Sequence, residues 1–290
     1  MSTRVAAIFV NPSRPEAVAA AQELSRLLIA GGFSLFTFSD VKISDVKKID
    51  ANSFNSKEID EIEIAIVLGG DGTILRAAEL TILHGIPLLG INLGHVGFMA
   101  EVDRPSLPKI SKSVIEKSYV SEKRMVLGFS VLRNKSEIAT GWALNEVTVE
   151  RDGTTMVELF VQIDKRPLSR WGCDGLICST PTGSTAYAFS AGGPILWPEI
   201  DALVLLPISA HALFARPMVI SPTSEIIVEI ESDRALLSAD ALRKVELTVG
   251  DQVVINRDPR MIKLAHVSPT LFTDRLVAKF KLPVEGWRGE

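Results

Sequence analysis

A chain of 290 residues with 47% hydrophobic and 23% charged residues has apolar material for two cores, or one large α/β core, and too little charge for disorder. Thirty-one basic residues against 35 acidic ones give a net charge of -4, a balance that does not advertise a nucleic-acid partner and leaves room only for a local basic patch. Cys173 and Cys178 form neither a four-ligand zinc pattern nor a disulfide framework, which favours a reducing, cytoplasmic setting.

The first apolar run, "VAAIFV" at residues 5–10, is too short for a membrane span and reads as a strand. A helix follows, with Pro15 near its start and Gly31–Gly32 at its end. Residues 33–38 suit a second strand, and the polar stretch 39–61 a loop or short insert. "IEIAIVL" (62–68) is the next strand, and after Gly72 the residues Ile74, Leu75, Ala77, Ala78, Leu80, Ile82 and Leu83 describe a broad apolar helix face. "IPLLGIN" supplies another strand. This alternation predicts a parallel sheet with helices on its faces, whose ligands gather at the carboxyl ends of the strands. Both Gly69–Gly72 and Asn92–Gly94 fall there.

Beyond Tyr119 short strands follow one another between turns, and the Val-Gly-Asp turn around Gly250 suits a hairpin. The expected organisation is an α/β N-terminal domain over 1–120, a β-rich C-terminal domain over 121–270, and a final segment 271–290 that packs back on the first domain.

The chemistry concentrates in four places. In "GGDGT", glycines bare the backbone and a helix start offers its dipole, which suits phosphate. Asp71 repels phosphate, so it either caps the helix, binds magnesium, or accepts the proton of an attacking hydroxyl. "NLGHVGF" adds Asn92 and His95 after a strand. "ALNEV" places Asn145 and Glu146 at a strand boundary, where an amide beside an acid can read ribose hydroxyls. "WGCDGLICSTPTGSTAYAFSAGGP" crowds hydroxyls after Asp174, with Tyr187 able to stack on a base or bond through its hydroxyl. Neither a Gly-x-Gly-x-x-Gly fingerprint nor a P-loop is present, and Ser184 lacks the glycine spacing of a hydrolase elbow.

In this order these motifs resemble the NAD kinase family, especially its actinobacterial branch, over nearly the whole chain. "GGDGT" alone is shared with lipid kinases and, loosely, with 6-phosphofructokinases. The resemblance implies phosphorylation of the 2′-hydroxyl of the adenosine ribose of NAD to NADP, with ATP or inorganic polyphosphate as donor and a divalent metal, normally Mg2+. It implies a homodimer or homotetramer, with part of the NAD site completed across a subunit interface, and no membrane or nucleic acid.

Residue by residue, the resemblance makes Asp71 the catalytic carboxylate and Gly70, Gly72 and Thr73 the phosphate-facing turn. Asn145 and Glu146 fall on ribose hydroxyls, and Asp174 on the nicotinamide end or a neighbouring subunit's ligand. Thr182, Thr185, Ala186, Tyr187 and Ser190 form the run that contacts NAD. Asn92 and His95 stay candidates for ligand and phosphate, and His95 would hold phosphate less firmly than an arginine there. Arg216 is structural or weakly phosphate-facing. Asp240 is an adenine-side candidate, but the family's Asp-Gly is here Asp240–Ala241, and alanine carries a cost if that backbone needs positive φ. Two alternatives stay open, another GGDGT-type lipid or sugar kinase and a non-catalytic NAD(P)-binding sensor.

Overall fold

The computed structural model describes residues 4–49, 59–91, 93, 97–100, 106–268 and 271–284. They fall into two compact units, one of Met1–Lys123 with Ile262–Glu290, the other of Arg124–Met261.

In the first unit, strands β1 (Arg4–Val10), β2 (Phe33–Thr37), β3 (Lys47–Lys48), β4 (Ile62–Leu68) and β5 (Leu88–Ile91) lie parallel in the order β3-β2-β1-β4-β5. The two-residue β3 is the one strand within the polar 39–61 stretch among the described residues. Parallel strands covered on both faces need continuous apolar runs, and from Val5 to Val10 every residue of β1 is buried. Helix α1 (Pro15–Ala30) and helix α3 (Leu107–Glu116) join one core with alternate residues of this sheet. Helix α2 (Asp71–Thr81) buries Ile74, Ala77, Ala78 and Thr81, the i, i+3, i+4, i+7 spacing of one face. It ends at Thr81, so Leu83 falls beyond it and is 69% exposed, outside the face expected of it.

The strand order reverses direction between β1 and β4. Their ends are joined where the Asn11 N–H donates to the Leu68 carbonyl at 3.0 Å. In open α/β sheets this switch point is where ligands collect, and the Gly69–Thr73 turn leaves it directly.

The second unit is a β-sandwich. One sheet runs in the order β13 (Met218–Ile220), β12 (Leu203–Ile208), β11 (Gly175–Ser179), β8 (Glu146–Arg151), β15 (Arg234–Ala239), β16 (Arg243–Thr248). The other holds β10 (Arg166–Cys173), β9 (Val157–Ile163), β14 (Ile226–Ile230) and β17 (Gln252–His266), with β6 (Val120–Arg133) paired to β17 and to β7 (Ser136–Ala143). A single core of alternate residues from both sheets lies between them, Trp171 among its largest members.

Two expectations change here. The turn at Gly250 is no hairpin: it carries the chain from β16, at the edge of one sheet, to β17 in the other. The last residues of β17 belong to the first unit, where Leu264 and Ala265 pair in parallel with Leu88 and Leu89, so the return begins at Ile262 rather than near 271. Helix α5 (Phe272–Phe280) continues it.

Candidate functional site

The GGDGT turn is built on α2. Gly70 is the residue before the helix, extended at φ -91°, and Asp71 is the first helical residue. The cap position is Gly70, which has no side chain to offer, and Asp71 stands one residue inside it. Neither Gly70 nor Gly72 has positive φ, and among the described residues a methyl group added to either would meet no protein atom within 4 Å. The described part of the fold therefore makes no demand for glycine at these two positions. What their bareness leaves is backbone that a phosphate can approach at the positive end of α2. Gly69 differs, since a methyl there would lie 2.8 Å from Thr73 Cβ.

The Asp71 carboxylate is held from one side. It accepts the N–H of Phe98 at 3.1 Å through Oδ2 and that of Met99 at 3.3 Å through Oδ1. Gly97 lies flat against it, and a Cβ there would come within 2.8 Å of Asp71 Cγ. Gly97 thus has the close-approach role that Gly70 and Gly72 lack. Asn92 and His95 lie outside the described residues.

The second unit carries the other candidates around one clamped peptide, that of Asn145. The Asn145 carbonyl accepts the Thr180 N–H at 2.9 Å and the Ser179 hydroxyl at 3.1 Å. Gly183 packs against the same carbonyl so closely that any side chain would collide with it. From the other side Asp240 accepts three backbone N–H groups, from Leu144 at 2.7 Å, Asn145 at 2.7 Å and Glu146 at 3.3 Å. With both oxygens so engaged, Asp240 shapes the Asn-Glu turn. Asp240 and Ala241 form the hairpin turn between β15 and β16 with φ of 52° and 56°, closed by Leu242 N–H to Ala239 C=O at 3.0 Å. The positive φ that sequence left conditional is therefore present, and Ala241 occupies a left-handed position.

Glu146 is buried, and its Oε2 makes no hydrogen bond among the described residues. Burial, with Asp240 and Glu150 adding to it against the pull of the Tyr187 backbone N–H, pushes its carboxyl up to about 8. A buried acid with an unspent oxygen is a strong sign of a polar ligand. Beside it the Tyr187 hydroxyl donates to Glu150 Oε2 at 3.3 Å, and Thr148 donates to Oε1 at 2.6 Å. Thr182 is buried, and its carbonyl accepts the Thr185 hydroxyl at 3.2 Å. Ala186 is half-buried, while Tyr187 and Ser190 are exposed on the short helix α4 (Tyr187–Ser190). Asp174 forms an ion pair with Arg151 Nε at 2.8 Å, and Arg216 is exposed.

Gly97 stands in the "NLGHVGF" stretch singled out from sequence, but its contact with Asp71 and the backbone donors of Phe98 and Met99 were not foreseen. No cluster of three or more His, Cys, Asp or Glu side chains occurs among the described residues. Asp71 is the one carboxylate on the glycine turn, a donor set suited to a hard cation carried mainly by a substrate's own phosphates.

The two units correspond to two family models, the ATP-NAD kinase N-terminal domain over residues 6–119 and the ATP-NAD kinase C-terminal domain over residues 144–267. An NAD kinase 2 of Streptomyces avermitilis is 44% identical over 99% of this chain and 98% of its own length. An NAD kinase of Thermobifida fusca is 43% identical over 99% of this chain and 92% of its own. Among solved structures, yeast NADH kinase complexed with NADH shares the fold, with a TM-score of 0.86 at 22% identity over 98% of this chain and 89% of that one. An NAD kinase from Archaeoglobus fulgidus in complex with ATP superposes with a TM-score of 0.72 at 25% identity over 96% of this chain and 98% of that one. With both domain models matched in order and relatives aligned from end to end, the chain belongs to the ATP-NAD kinase family.

Proposed function

We propose that this chain transfers a phosphoryl group from ATP to the 2′-hydroxyl of the adenosine ribose of NAD, making NADP, with Asp71 as the group that takes the hydroxyl's proton. Membership of the ATP-NAD kinase family carries the reaction. One observation carries the residue: a carboxylate fixed by two backbone N–H groups stands on a turn whose Gly70 and Gly72 meet no crowding from the described residues.

The ribose oxygen attacks the terminal phosphorus of ATP, the bond to the bridging oxygen breaks, ADP departs, and the proton goes to Asp71. Backbone N–H groups at the start of α2 meet the phosphate charge, and the fixed carboxylate aligns the attacking oxygen. Bound magnesium would neutralise charge on the triphosphate, with Asp71 the residue placed to share in holding it. Asn145 and Glu146 read the ribose hydroxyls, the buried free Oε2 supplying an acceptor, while Thr182, Thr185, Ala186, Tyr187 and Ser190 line the remainder of NAD. Polyphosphate as a second donor, a homodimer or homotetramer, and a cytoplasmic setting belong to the same reading. Exposed Leu213, Phe214 and Val219 support the oligomer, and two buried free thiols support the reducing compartment.

The test is NADP formation by the purified protein with ATP and polyphosphate in parallel, with and without magnesium, set beside Asp71→Asn. Loss of most turnover with NAD binding retained is expected. Near-normal turnover of the variant would remove Asp71 from the role.

A further inference from the structure

We propose that Arg275, on the C-terminal helix α5, is a positioning residue for phosphoryl transfer, setting the place of the Asp71 carboxylate through the backbone of residues 98–100. The proposal rests on the reading of Asp71 as proton acceptor.

Arg275 is 3% exposed. A guanidinium stays charged at every working pH, so burying it is costly unless its donors are all met by well-placed acceptors. Its Nη1 donates to the Phe98 carbonyl at 3.0 Å and the Ala100 carbonyl at 2.8 Å. Its Nη2 lies 3.2 Å from His266 Nδ1, and His266 Nε2 lies 2.7 Å from Glu122 Oε1. An arginine can only donate, so Nδ1 accepts and the ring donates from Nε2 to Glu122. The guanidinium is thereby oriented by a second pair of residues.

One peptide group is shared: that of the Phe98 C=O and the Met99 N–H, whose carbonyl accepts from Arg275 while its N–H donates to Asp71. Phe98 gives its N–H to Asp71 and its C=O to Arg275. Drawing on the carbonyls polarises the same short stretch of backbone that donates to the carboxylate. The Phe98 ring is gripped as well, 5.9 Å from Phe272 and 5.7 Å from Phe280, the two ends of α5. Helix α5 therefore holds Phe98 by ring and carbonyl, while Asp71 meets it through its N–H. The 98–100 backbone has Asp71 on one side and a buried cation on the other, so a shift of that backbone moves the reacting group with it. Displacement of about 1 Å at such a group costs about a hundredfold in rate.

If Arg275 only anchored α5, its loss would lower stability and leave kinetics of the folded fraction alone. Steady-state NADP formation by the full chain separates the two. Arg275→Met is expected to lower kcat by about tenfold to a hundredfold, with KM for NAD and for ATP within about threefold. In an Asp71→Asn background the same change should lower the residual kcat less than twofold, because there is no carboxylate left to misplace. An equal factor in both backgrounds, or a raised KM at unchanged kcat, overturns the proposal. Near-normal turnover by Asp71→Asn alone overturns the reading of Asp71 instead, so the two failures are told apart. Should Arg275→Met not fold, Arg275→Lys keeps the buried charge but, with one nitrogen on a shorter reach, cannot meet the two carbonyls and His266 Nδ1 together. In that variant faster exchange of the Phe98 and Met99 amides must accompany the fall in kcat, and a fall without faster exchange overturns the proposal.

Discussion

Asp240 holds Asn145 by its backbone across paired strands, Oδ1 accepting the Asn145 N–H at 2.7 Å from 95 residues further along the chain. The same carboxylate takes the N–H groups on either side, which fixes the turn that presents Asn145 and Glu146. Asp240→Asn puts an NH2 group where one oxygen stood, so one N–H donor loses its acceptor and faces another donor. The expected cost is about 1–3 kcal/mol in denaturant unfolding. Because the turn rather than the reacting carboxylate is loosened, KM for NAD should rise by more than kcat falls. A variant with wild-type stability and KM would show that the turn holds itself.

Ala241 sits next to this anchor at φ 56° and is exposed. An L-residue with a Cβ in that region costs about 1–2 kcal/mol, whereas glycine gives back part of the gain through its freer unfolded chain. Ala241→Gly is expected to stabilise the protein by about 0.5–1 kcal/mol in urea unfolding. Its methyl group faces solvent, so KM for NAD should stay within about twofold of wild type. Improved NAD use would instead place the methyl group against the ligand.

The legible parts of this chain are those governed by periodicity or by bare local chemistry. β1 and β4 read as buried strands because parallel strands must be apolar on both faces, and α2 because Ile74, Ala77 and Ala78 repeat at helical spacing. The Gly250 turn misled because turn chemistry reports a change of direction without saying which strand will be the partner. Two further hairpin turns, Asn134–Lys135 and Asp164–Lys165, have both residues at positive φ with no glycine to announce them. Asp240 on the Asn145 peptide and Arg275 on Phe98 were beyond reach for another reason. Each is one side chain meeting backbone groups far along the chain, and backbone atoms leave no letter in the sequence.

Gly72 allows ligand contact to be separated from folding. It lies in the first turn of α2 at ordinary φ, and no described residue stands within 4 Å of where a Cβ would go. Gly72→Ala should therefore fold as well as wild type and gain up to about 1 kcal/mol from helix propensity. If a phosphate approaches this backbone, the added methyl group stands in its way, and kcat/KM for ATP is expected to fall by about tenfold or more, a loss of about 1.4 kcal/mol. Thermal melting and ATP kinetics on one preparation decide the matter. Unchanged kinetics beside a raised Tm would mean that phosphate does not contact the turn at this position.

Glu146 makes the last prediction, because its carboxyl is pushed up to about 8 by burial and by neighbouring Asp240 and Glu150. In the unfolded chain the same group titrates near 4.5. Between these values the native state holds a proton that the unfolded state has released, so native stability is full below about 4.5 and declines as pH rises towards about 8. Glu146→Gln keeps the shape and removes the titration. Its stability relative to wild type should rise with pH across that window and level off above it, by a gain on the order of 2–4 kcal/mol. Urea unfolding at acid, neutral and mildly alkaline pH measures this directly. The same titration governs the ribose contact, since an ionised carboxylate accepts from hydroxyls more strongly than a neutral acid. Wild-type KM for NAD should fall as pH rises through about 8, and this inflection should be absent from the glutamine variant. A shared inflection in both proteins would assign it to another group and leave Glu146 as a neutral wall of the site.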